Sequence, residues 1–303
     1  MKIKGLSPSA YNAYEWCEFK FYLTQILGFE DESGPAATLG HLGHKVLEIL
    51  SRASINKHPK ESKIWNPEYL WNISFNHYYN ESPEICEKLD NAKLKKVCKG
   101  VFETINGPYS PITDKTISAE QSFFIPIQDK ELIIDTGNEN QYFNIRGRID
   151  RVDKLNDNTI EIIDYKTGTR TDYSSKNRSK KDELSLKEEI QPRMYHLAGK
   201  HLYPWAENII TTFIYLADGG PVSIPFCDND VYQTQDMIKK RYFTIKNNEN
   251  PQKTDQKWRC KAMCGFFKDS TCDSVYKEKD QLGYDFTTEK YITLNYDRKR
   301  FKK

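Results

Sequence analysis

The chain has 303 residues, with 45 Lys and Arg against 43 Asp and Glu, so its formal net charge is only +2. This balance gives no argument for nucleic-acid binding from bulk charge, and a DNA-binding surface would have to be local. Aromatic residues make up 13% of the chain, which excludes a disordered protein. No apolar run approaches the roughly 18 residues that span a bilayer, and no secretory signal is visible, so we expect a cytoplasmic protein without a membrane partner.

The first third of the chain is predicted to be helical. Ser7-Pro8-Ser9 is typical of a helix start, because a hydroxyl caps the first turn and proline suits an early helical position. A second helix is predicted over about 38–51, where apolar residues recur at helical spacing. The helical pattern continues to Gly107-Pro108, so we interpret residues 52–110 as a helical insertion ahead of a sheet.

After Pro111 the apolar period changes to two, which predicts β-strands. The predicted strands are 117–127, 132–135, 143–154 and 159–165, and the last two form a hairpin that turns at 156–158. A polar, basic stretch at 169–189 is predicted to be mostly a mobile loop. The pattern then predicts a helix over 189–203, a buried strand over 208–216 and a helix over 231–246. We therefore predict a mixed α/β fold, as a single domain over 1–303.

The hairpin carries acidic residues at a spacing that suggests chemistry. Asp164 and Lys166 lie two residues apart and therefore share one face of a strand, and pairing of the hairpin directs Asp150 to the same region. Two carboxylates and a backbone carbonyl suit a hard divalent cation such as Mg²⁺ or Mn²⁺, and a nearby ammonium can promote the activation of water. An isolated Asp-x-Lys, by contrast, is more often a solvated salt bridge.

The order of these motifs resembles the PD-(D/E)XK nuclease superfamily, and within it the RecB-like branch. The motifs are Gly147-x-x-Asp150, the apolar strand that ends in Asp164-Tyr165-Lys166-Thr167-Gly168, Gln191-x-x-x-Tyr195, and a helix motif from Gly40 to Glu48. The resemblance implies a restriction-endonuclease-like core, in which a mixed central sheet is flanked by helices.

The resemblance also implies roles for single residues. The implied ligands of Mg²⁺ or Mn²⁺ are His44, Asp150, Asp164 and the carbonyl of Tyr165. The implied catalytic residues are Asp150, Asp164, Lys166, Gln191 and Tyr195. Glu120 matches a recurring acidic position and is a possible accessory residue. For Gln191 and Tyr195, which lie one helical turn apart, the alternative is a packed pair.

The implied function is a divalent-metal-dependent deoxyribonuclease, acting as an exonuclease on DNA ends or single strands. Its implied setting is recombination, repair, phage DNA metabolism or CRISPR adaptation, with a helicase, recombinase or integrase as partner in a bacterial or phage-infected cell. The alternative is a catalytically silent module of the same fold that binds DNA ends or acts as a scaffold.

Seven cysteines are an odd number for a closed disulfide framework. Cys260, Cys264 and Cys272 cluster in the C-terminal segment 255–303, whereas Cys17 lies far away in sequence. Four thiolates suit an iron–sulfur cluster or a structural zinc ion. The resemblance to AddB-type and CRISPR-adaptation nucleases implies a [4Fe–4S] cluster on these four residues, which would join the two ends of the chain as a staple. The spacing here is wider than is usual in the family, so zinc stays an alternative.

Local basic patches offer candidate contacts with DNA phosphates. The loop over 169–189 carries Arg170, Lys176, Arg178, Lys180 and Lys181, and the tail at 298–303 contains five cations. A solvated terminus is the alternative for the tail. Exposed tyrosines such as Tyr11, Tyr14 or Tyr173 would be able to stack on unpaired bases.

Overall fold

The computed structural model describes residues 1–31, 34–135, 140–171 and 179–301. Its helices are α1 (Pro8–Trp16), α2 (Glu18–Phe21), α3 (Pro35–Ile55), α4 (Pro67–Glu81), α5 (Pro83–Cys86), α6 (Asn91–Ile105), α7 (Glu183–Lys187), α8 (Ile190–Leu202), α9 (Asp228–Lys246), α10 (Lys257–Met263), α11 (Gly265–Lys268), α12 (Thr271–Leu282) and α13 (Tyr284–Phe301). Its strands are β1 (Gly5–Leu6), β2 (Thr116–Pro126), β3 (Ile133–Asp135), β4 (Asn140–Tyr142), β5 (Asn144–Asn156), β6 (Thr159–Lys166), β7 (Asn208–Tyr215) and β8 (Pro221–Phe226).

The chain divides into two compact units. The first comprises residues 1–33, 126–146 and 235–303, and the second comprises 34–125 and 147–234. The prediction of one nuclease domain over the whole chain stays a prediction. Among the described residues, no helix is both long and apolar enough to cross a membrane.

A mixed sheet forms the centre of the second unit. Its strand order is β5-β6-β7-β8, and β2 also pairs with β5. The predicted hairpin is confirmed, because β5 and β6 pair antiparallel from Arg151↔Ile163 to Asn156↔Thr159. β6 and β7 are parallel, whereas β7 and β8 are antiparallel. β6 is buried along almost its whole length, which explains why apolar residues such as Ile162 and Ile163 occupy both of its faces.

Helices cover both faces of this sheet, which confirms the predicted mixed α/β arrangement. On one face, Ile163 and Tyr165 of β6 share a hydrophobic core with α3, α4 and α6. On the other face, a Cβ added at Gly199 of α8 would lie 3.0 Å from Ile162 Cδ1, so α8 packs closely there. Since neighbouring strand residues point to opposite faces, Asp164 lies on the same face as Ile162 and α8.

The predicted insertion at 52–110 is helical, as expected, and it belongs to the core of this unit. Leu70 and Trp71 of α4 and Val97 and Val101 of α6 are buried in the same cluster as α3. Within the stretch at 169–189 the structure places α7, and residues 172–178 lie outside the described part of the chain. The mobility of this stretch stays a prediction.

The first unit contains the chain ends that the structure describes and many of the buried rings. β1 pairs in parallel with the first residues of β5, at Gly5↔Asn144. The ring of Phe19 lies 4.9 Å from that of Tyr276 in α12, in an edge-to-face contact. This edge-to-face contact is a favourable arrangement of two aromatic rings and joins α2 to α12.

Candidate active site

Asp150 and His44 form the centre of a polar cluster in the second unit. Asp150 extends from β5 and accepts a hydrogen bond of 2.8 Å from the backbone N–H of Tyr165 on β6. The same Oδ2 atom lies 3.2 Å from Nδ1 of His44, which α3 supplies. Burial alone would lower the pKa of His44, but the Asp150 carboxylate outweighs that effect and raises it to about 9.

Glu120 of β2 completes this cluster. One ligand atom each from His44, Glu120 and Asp150 lies within 4.8 Å of the other two, as the ligands of a single metal ion would. Glu120 has a left-handed backbone with φ of 53° inside a strand, which is a strained conformation for a residue with a side chain. Its carboxylate is 3.2 Å from Nη1 of Arg148. Burial, and then the negative charges of Asp150 and Glu48, raise the pKa of Glu120.

Asp164 and Lys166 lie together on the neighbouring strand. Nζ of Lys166 is 2.6 Å from Oδ2 of Asp164 and donates a hydrogen bond of 2.7 Å to Oε1 of Gln191. Oδ1 of Asp164 accepts hydrogen bonds from Gln191 Nε2 at 3.0 Å and from the Tyr195 hydroxyl at 2.8 Å. Asp164 is only 3% exposed, and burial raises its pKa although the Lys166 ammonium acts in the opposite direction.

α8 supplies both side chains that hold Asp164, because Gln191 and Tyr195 are one helical turn apart and so share one face. Gln191 Nε2 also donates to the Tyr195 hydroxyl at 2.8 Å, which fixes the two side chains to one another. Gln191 and Tyr195 therefore contact one another, as the alternative of a packed pair predicts, and both also bind the carboxylate of Asp164. Contacts to both of its oxygens leave this carboxylate little freedom to rotate.

The side chain of Tyr165 lies on the opposite face of the sheet. Its ring is buried in the α3 core, and its hydroxyl accepts a hydrogen bond of 3.1 Å from Arg151. Arg151 is itself buried and pairs with Asp153. The ring also meets the cluster, because it contacts His44 edge to face with centroids 6.0 Å apart, while the backbone N–H of Tyr165 binds Asp150. The use of the Tyr165 carbonyl as a metal ligand stays a prediction.

The arrangement suits a hard cation. Glu120 and Asp150 repel one another, since the charge of Asp150 raises the pKa of Glu120, and a divalent ion would relieve that repulsion. His44 adds an imidazole nitrogen, which must be neutral to coordinate a metal. A bound divalent cation would therefore relieve the repulsion between Glu120 and Asp150 and would take the place of the proton on His44.

A family comparison agrees with this geometry. The family model of the PD-(D/E)XK nuclease superfamily matches residues 5–268. The chain belongs to the PD-(D/E)XK nuclease superfamily. The nuclease assignment implied by the sequence motifs is thus confirmed at the level of the superfamily.

Curated relatives of this superfamily member are much longer proteins. An ATP-dependent helicase/deoxyribonuclease subunit of Lactococcus lactis subsp. lactis is 23% identical over 184 residues, which are 59% of this chain and 16% of the relative. The exonuclease/helicase subunit RexB of Lactococcus lactis subsp. cremoris matches to the same extent, at 23% identity. The chain therefore spans about a sixth of the length of these relatives.

A solved structure is similar over most of the chain. An Eubacterium rectale protein assigned as an exonuclease is 14% identical, covers 84% of this chain and 85% of its own length, and superposes with a TM-score of 0.49.

In this superfamily member the four cysteines of the predicted staple all belong to the first unit and are free thiols. Burial raises the pKa of Cys272 to about 12, and the charges of Cys17 and Cys264 act in the same direction. Cys17 likewise raises the pKa of Cys260, after burial. In the part of the chain that the structure describes, however, no three cysteine sulfurs lie within 4.8 Å of one another. The structure thus does not show the staple.

Two of the five basic residues that we predict to contact DNA from the loop at 169–189 form ion pairs with acidic side chains. Lys180 pairs with Asp218 at 2.9 Å, and Lys181 pairs with Glu189. Lys176, Arg178 and Tyr173 lie outside the described residues, as do the side chains of the basic tail at 298–303. The two remaining candidate stacking residues, Tyr11 and Tyr14, are buried in the core.

Proposed function

We propose that this chain is a divalent-metal-dependent deoxyribonuclease that hydrolyses phosphodiester bonds with Mg²⁺ or Mn²⁺. The observation that carries the proposal is the convergence of His44, Glu120 and Asp150 next to the Asp164–Lys166 pair. A surface salt bridge does not explain this arrangement, because it brings three potential ligands and a lysine together at one end of a buried hairpin.

Each side chain has a distinct task in this proposal. His44, Asp150, Asp164 and the carbonyl of Tyr165 would hold the cation, together with Glu120. When bound, a divalent cation polarises a phosphate oxygen and lowers the pKa of water. The ammonium of Lys166 stabilises the negative charge that develops on the phosphate as water oxygen attacks phosphorus and the bridging P–O bond breaks.

Gln191 and Tyr195 act on the reaction through Asp164 and Lys166. Gln191 donates to Asp164 and accepts from Lys166, so it fixes the ammonium beside the carboxylate. Tyr195 donates to the same carboxylate oxygen. A preorganised ammonium loses less free energy to reorganisation in the transition state than a mobile one does.

The substrate we propose is DNA, at ends or in single strands, cut by an exonuclease. This is supported by the relatives, which are named as helicase/deoxyribonuclease and exonuclease/helicase subunits. The matched region is only 16% of the length of such a relative, so the helicase activity in its name does not transfer to this chain. We propose a helicase, recombinase or integrase partner in the cytoplasm of a bacterial or phage-infected cell, in recombination, repair, phage DNA metabolism or CRISPR adaptation.

We also propose that Cys17, Cys260, Cys264 and Cys272 hold a [4Fe–4S] cluster. Support comes from the mutual effects of these thiols on their pKa values, which put them in one neighbourhood. A tetrahedral zinc ion, the alternative, would draw its four sulfurs to about 3.8 Å from one another. Metal analysis and a visible spectrum of anaerobically purified protein decide: iron with a thiolate–iron band supports the cluster, and zinc without iron refutes it.

The nuclease itself is tested by degradation of labelled DNA in Mn²⁺. Asp164→Ala, which removes a proposed metal ligand, and Lys166→Ala, which removes the ammonium that stabilises the developing charge, are each expected to reduce the rate by at least about 100-fold. Asp157→Asn is the matched control, because Asp157 lies in the turn of the same hairpin and is fully exposed. Degradation by both variants at the wild-type rate would refute the assignment.

A catalytically silent DNA-end-binding module is the second candidate. It predicts tight DNA binding without cleavage and without uptake of Mn²⁺. Calorimetric titration with Mn²⁺, followed by titration with DNA, distinguishes the two functions. The intact cluster of His44, Glu120 and Asp150 favours the nuclease, since a silent module does not need a group of potential metal ligands.

A further inference from the structure

The helical insertion places aromatic side chains beside the candidate active site. Tyr78 lies near the end of α4, and the mechanism proposed above makes no use of it. Several other aromatic residues of α4 face solvent, among them Tyr69 and Tyr79, with about two fifths of their surface exposed. Tyr78 differs from these because it is half-buried and contacts α3.

The contact of Tyr78 on α3 is His41. The two ring centroids are 6.3 Å apart and the ring planes are inclined by 36°. His41 is exposed, and it precedes His44 by three residues on the same helix. Residues three apart on a helix are neighbours on its surface, about 5–6 Å apart at Cβ. The aromatic pair therefore begins within one helical turn of a candidate metal ligand.

Electrostatics also place Tyr78 near the active site. Burial raises the pKa of its hydroxyl, and so do the negative charges of Glu81, Glu48 and Glu120. The charge of Glu120 has the smallest of these effects, so its interaction with the phenol is weak. Glu48 is itself neutralised by Lys45, at 3.1 Å, and by Arg52. Because the pKa of Tyr78 is raised, its phenol stays uncharged at neutral pH, and its ring is a neutral surface near these acidic side chains.

We propose that Tyr78 and His41 form a stacking platform for an unpaired base next to the scissile phosphate, so that the substrate class is single-stranded DNA. The proposal rests on the nuclease function and deepens it. Aromatic rings bind bases of any sequence, because every base offers a π-face. In a duplex both faces of an internal base are covered by its neighbours, so a platform for one base favours a strand that is already unpaired.

Tyr79 supplies the matched control. Its ring stacks against Phe75, with centroids 6.3 Å apart, and its hydroxyl donates a hydrogen bond of 3.4 Å to Glu87. It adjoins Tyr78 in sequence and is more exposed, yet it points to other partners. Loss of this ring should therefore leave the platform intact.

The test measures the rate of the first cleavage of a single-stranded oligonucleotide. The enzyme is in excess over the oligonucleotide, so that each strand is cut in a single turnover, but its concentration is too low to saturate binding. Tyr78→Ala is expected to reduce the rate roughly 5- to 150-fold, the range of one base–aromatic stack. His41→Ala should give a smaller loss of the same kind. Tyr78→Phe, which keeps the ring, should recover most of the rate that Tyr78→Ala loses, whereas Tyr79→Ala should cleave at the wild-type rate.

A second substrate separates stacking from a general effect on folding. The oligonucleotide lacks one base, and the abasic position is moved over the nucleotides on either side of the scissile bond. At one abasic position, the wild-type cleavage rate should fall by the factor that the Tyr78→Ala substitution causes on the intact strand. At that same position, Tyr78→Ala should cleave the abasic strand as fast as it cleaves the intact strand. Equal losses for Tyr78→Ala on intact and abasic strands at every position would overturn the platform.

The two proposals fail in different ways. If the wild type cuts DNA but shows no coupling between Tyr78 and any base, the platform is wrong and the nuclease stands. If the wild type cuts no DNA in Mn²⁺ or Mg²⁺, the nuclease is wrong and the platform falls with it. Wild-type preference for duplex ends over single strands would also overturn the platform.

Discussion

Acidification should destabilise this protein through one buried histidine. His196 of α8 has no exposed surface, and its ring stacks on Phe226 at a centroid distance of 5.0 Å and an angle of 13°. Neither ring nitrogen has a hydrogen-bond partner in the described part of the chain. Burial, followed by the charge of Lys200, lowers the pKa of His196 from 6.5 to about 4.

The sign follows from the two pKa values. Below pH 6.5 the unfolded chain binds a proton at His196 that the folded chain does not bind until about pH 4. The stability that depends on a neutral His196 is therefore complete above pH 6.5 and is lost as the pH falls from 6.5 to 4. At about 1.4 kcal/mol per pKa unit, the loss is roughly 2–3 kcal/mol by pH 4.5.

The assay is urea unfolding of wild type and His196→Phe at pH 7.5 and pH 4.5, with free energies from linear extrapolation. Phenylalanine keeps the stack on Phe226 but binds no proton, so the wild type should lose about 2–3 kcal/mol more than the variant. His201→Gln, on the exposed side of the same helix, should behave like the wild type. Equal pH dependence in wild type and His196→Phe would refute the argument.

Three further changes have expected outcomes. A Cβ at Gly100 would lie 1.7 Å from the backbone oxygen of Leu216, so Gly100→Ala should lower the free energy of unfolding in urea by about 1–3 kcal/mol. The loss should be smaller for Gly199→Ala, because the added Cβ there meets methyl groups that are able to move. Glu120→Gly should raise the stability of the metal-free protein by about 1 kcal/mol, because glycine tolerates positive φ, while calorimetry shows weaker Mn²⁺ binding. Gln191→Ala removes a hydrogen-bond partner from both Asp164 and Lys166, so the rate of DNA cleavage in Mn²⁺ should fall about 10- to 100-fold.

The hairpin and its polar residues were predictable because their signals are local. A period of two along β6 places Asp164 and Lys166 on one face. The polar turn at 156–158 reverses the chain, so that β6 runs back alongside β5. Helical spacing likewise predicts that Gln191 and Tyr195 point the same way. The structure confirms these neighbours with hydrogen bonds between the predicted side chains.

Other parts of the site depend on tertiary structure. Glu120 reaches His44 and Asp150 through a left-handed residue within a strand, and no residue in that stretch is glycine or asparagine to signal it. The contact of His41 with Tyr78 joins α3 to the insertion and has no periodic signature. The short strands β1 and β8 and the helices α10–α13 were also missed, since they are too short or too polar for a clear period.

Calorimetric titration of the purified protein with Mn²⁺ tests the central claim most directly. The account predicts saturable binding in the wild type and in the turn variant Asp157→Asn. Binding should be weakened at least about 10-fold in Asp150→Asn, which keeps an acceptor for the Tyr165 N–H but removes the charge. Binding of Mn²⁺ by Asp150→Asn with wild-type affinity, or no binding by the wild type, would contradict a metal site formed by His44, Glu120 and Asp150.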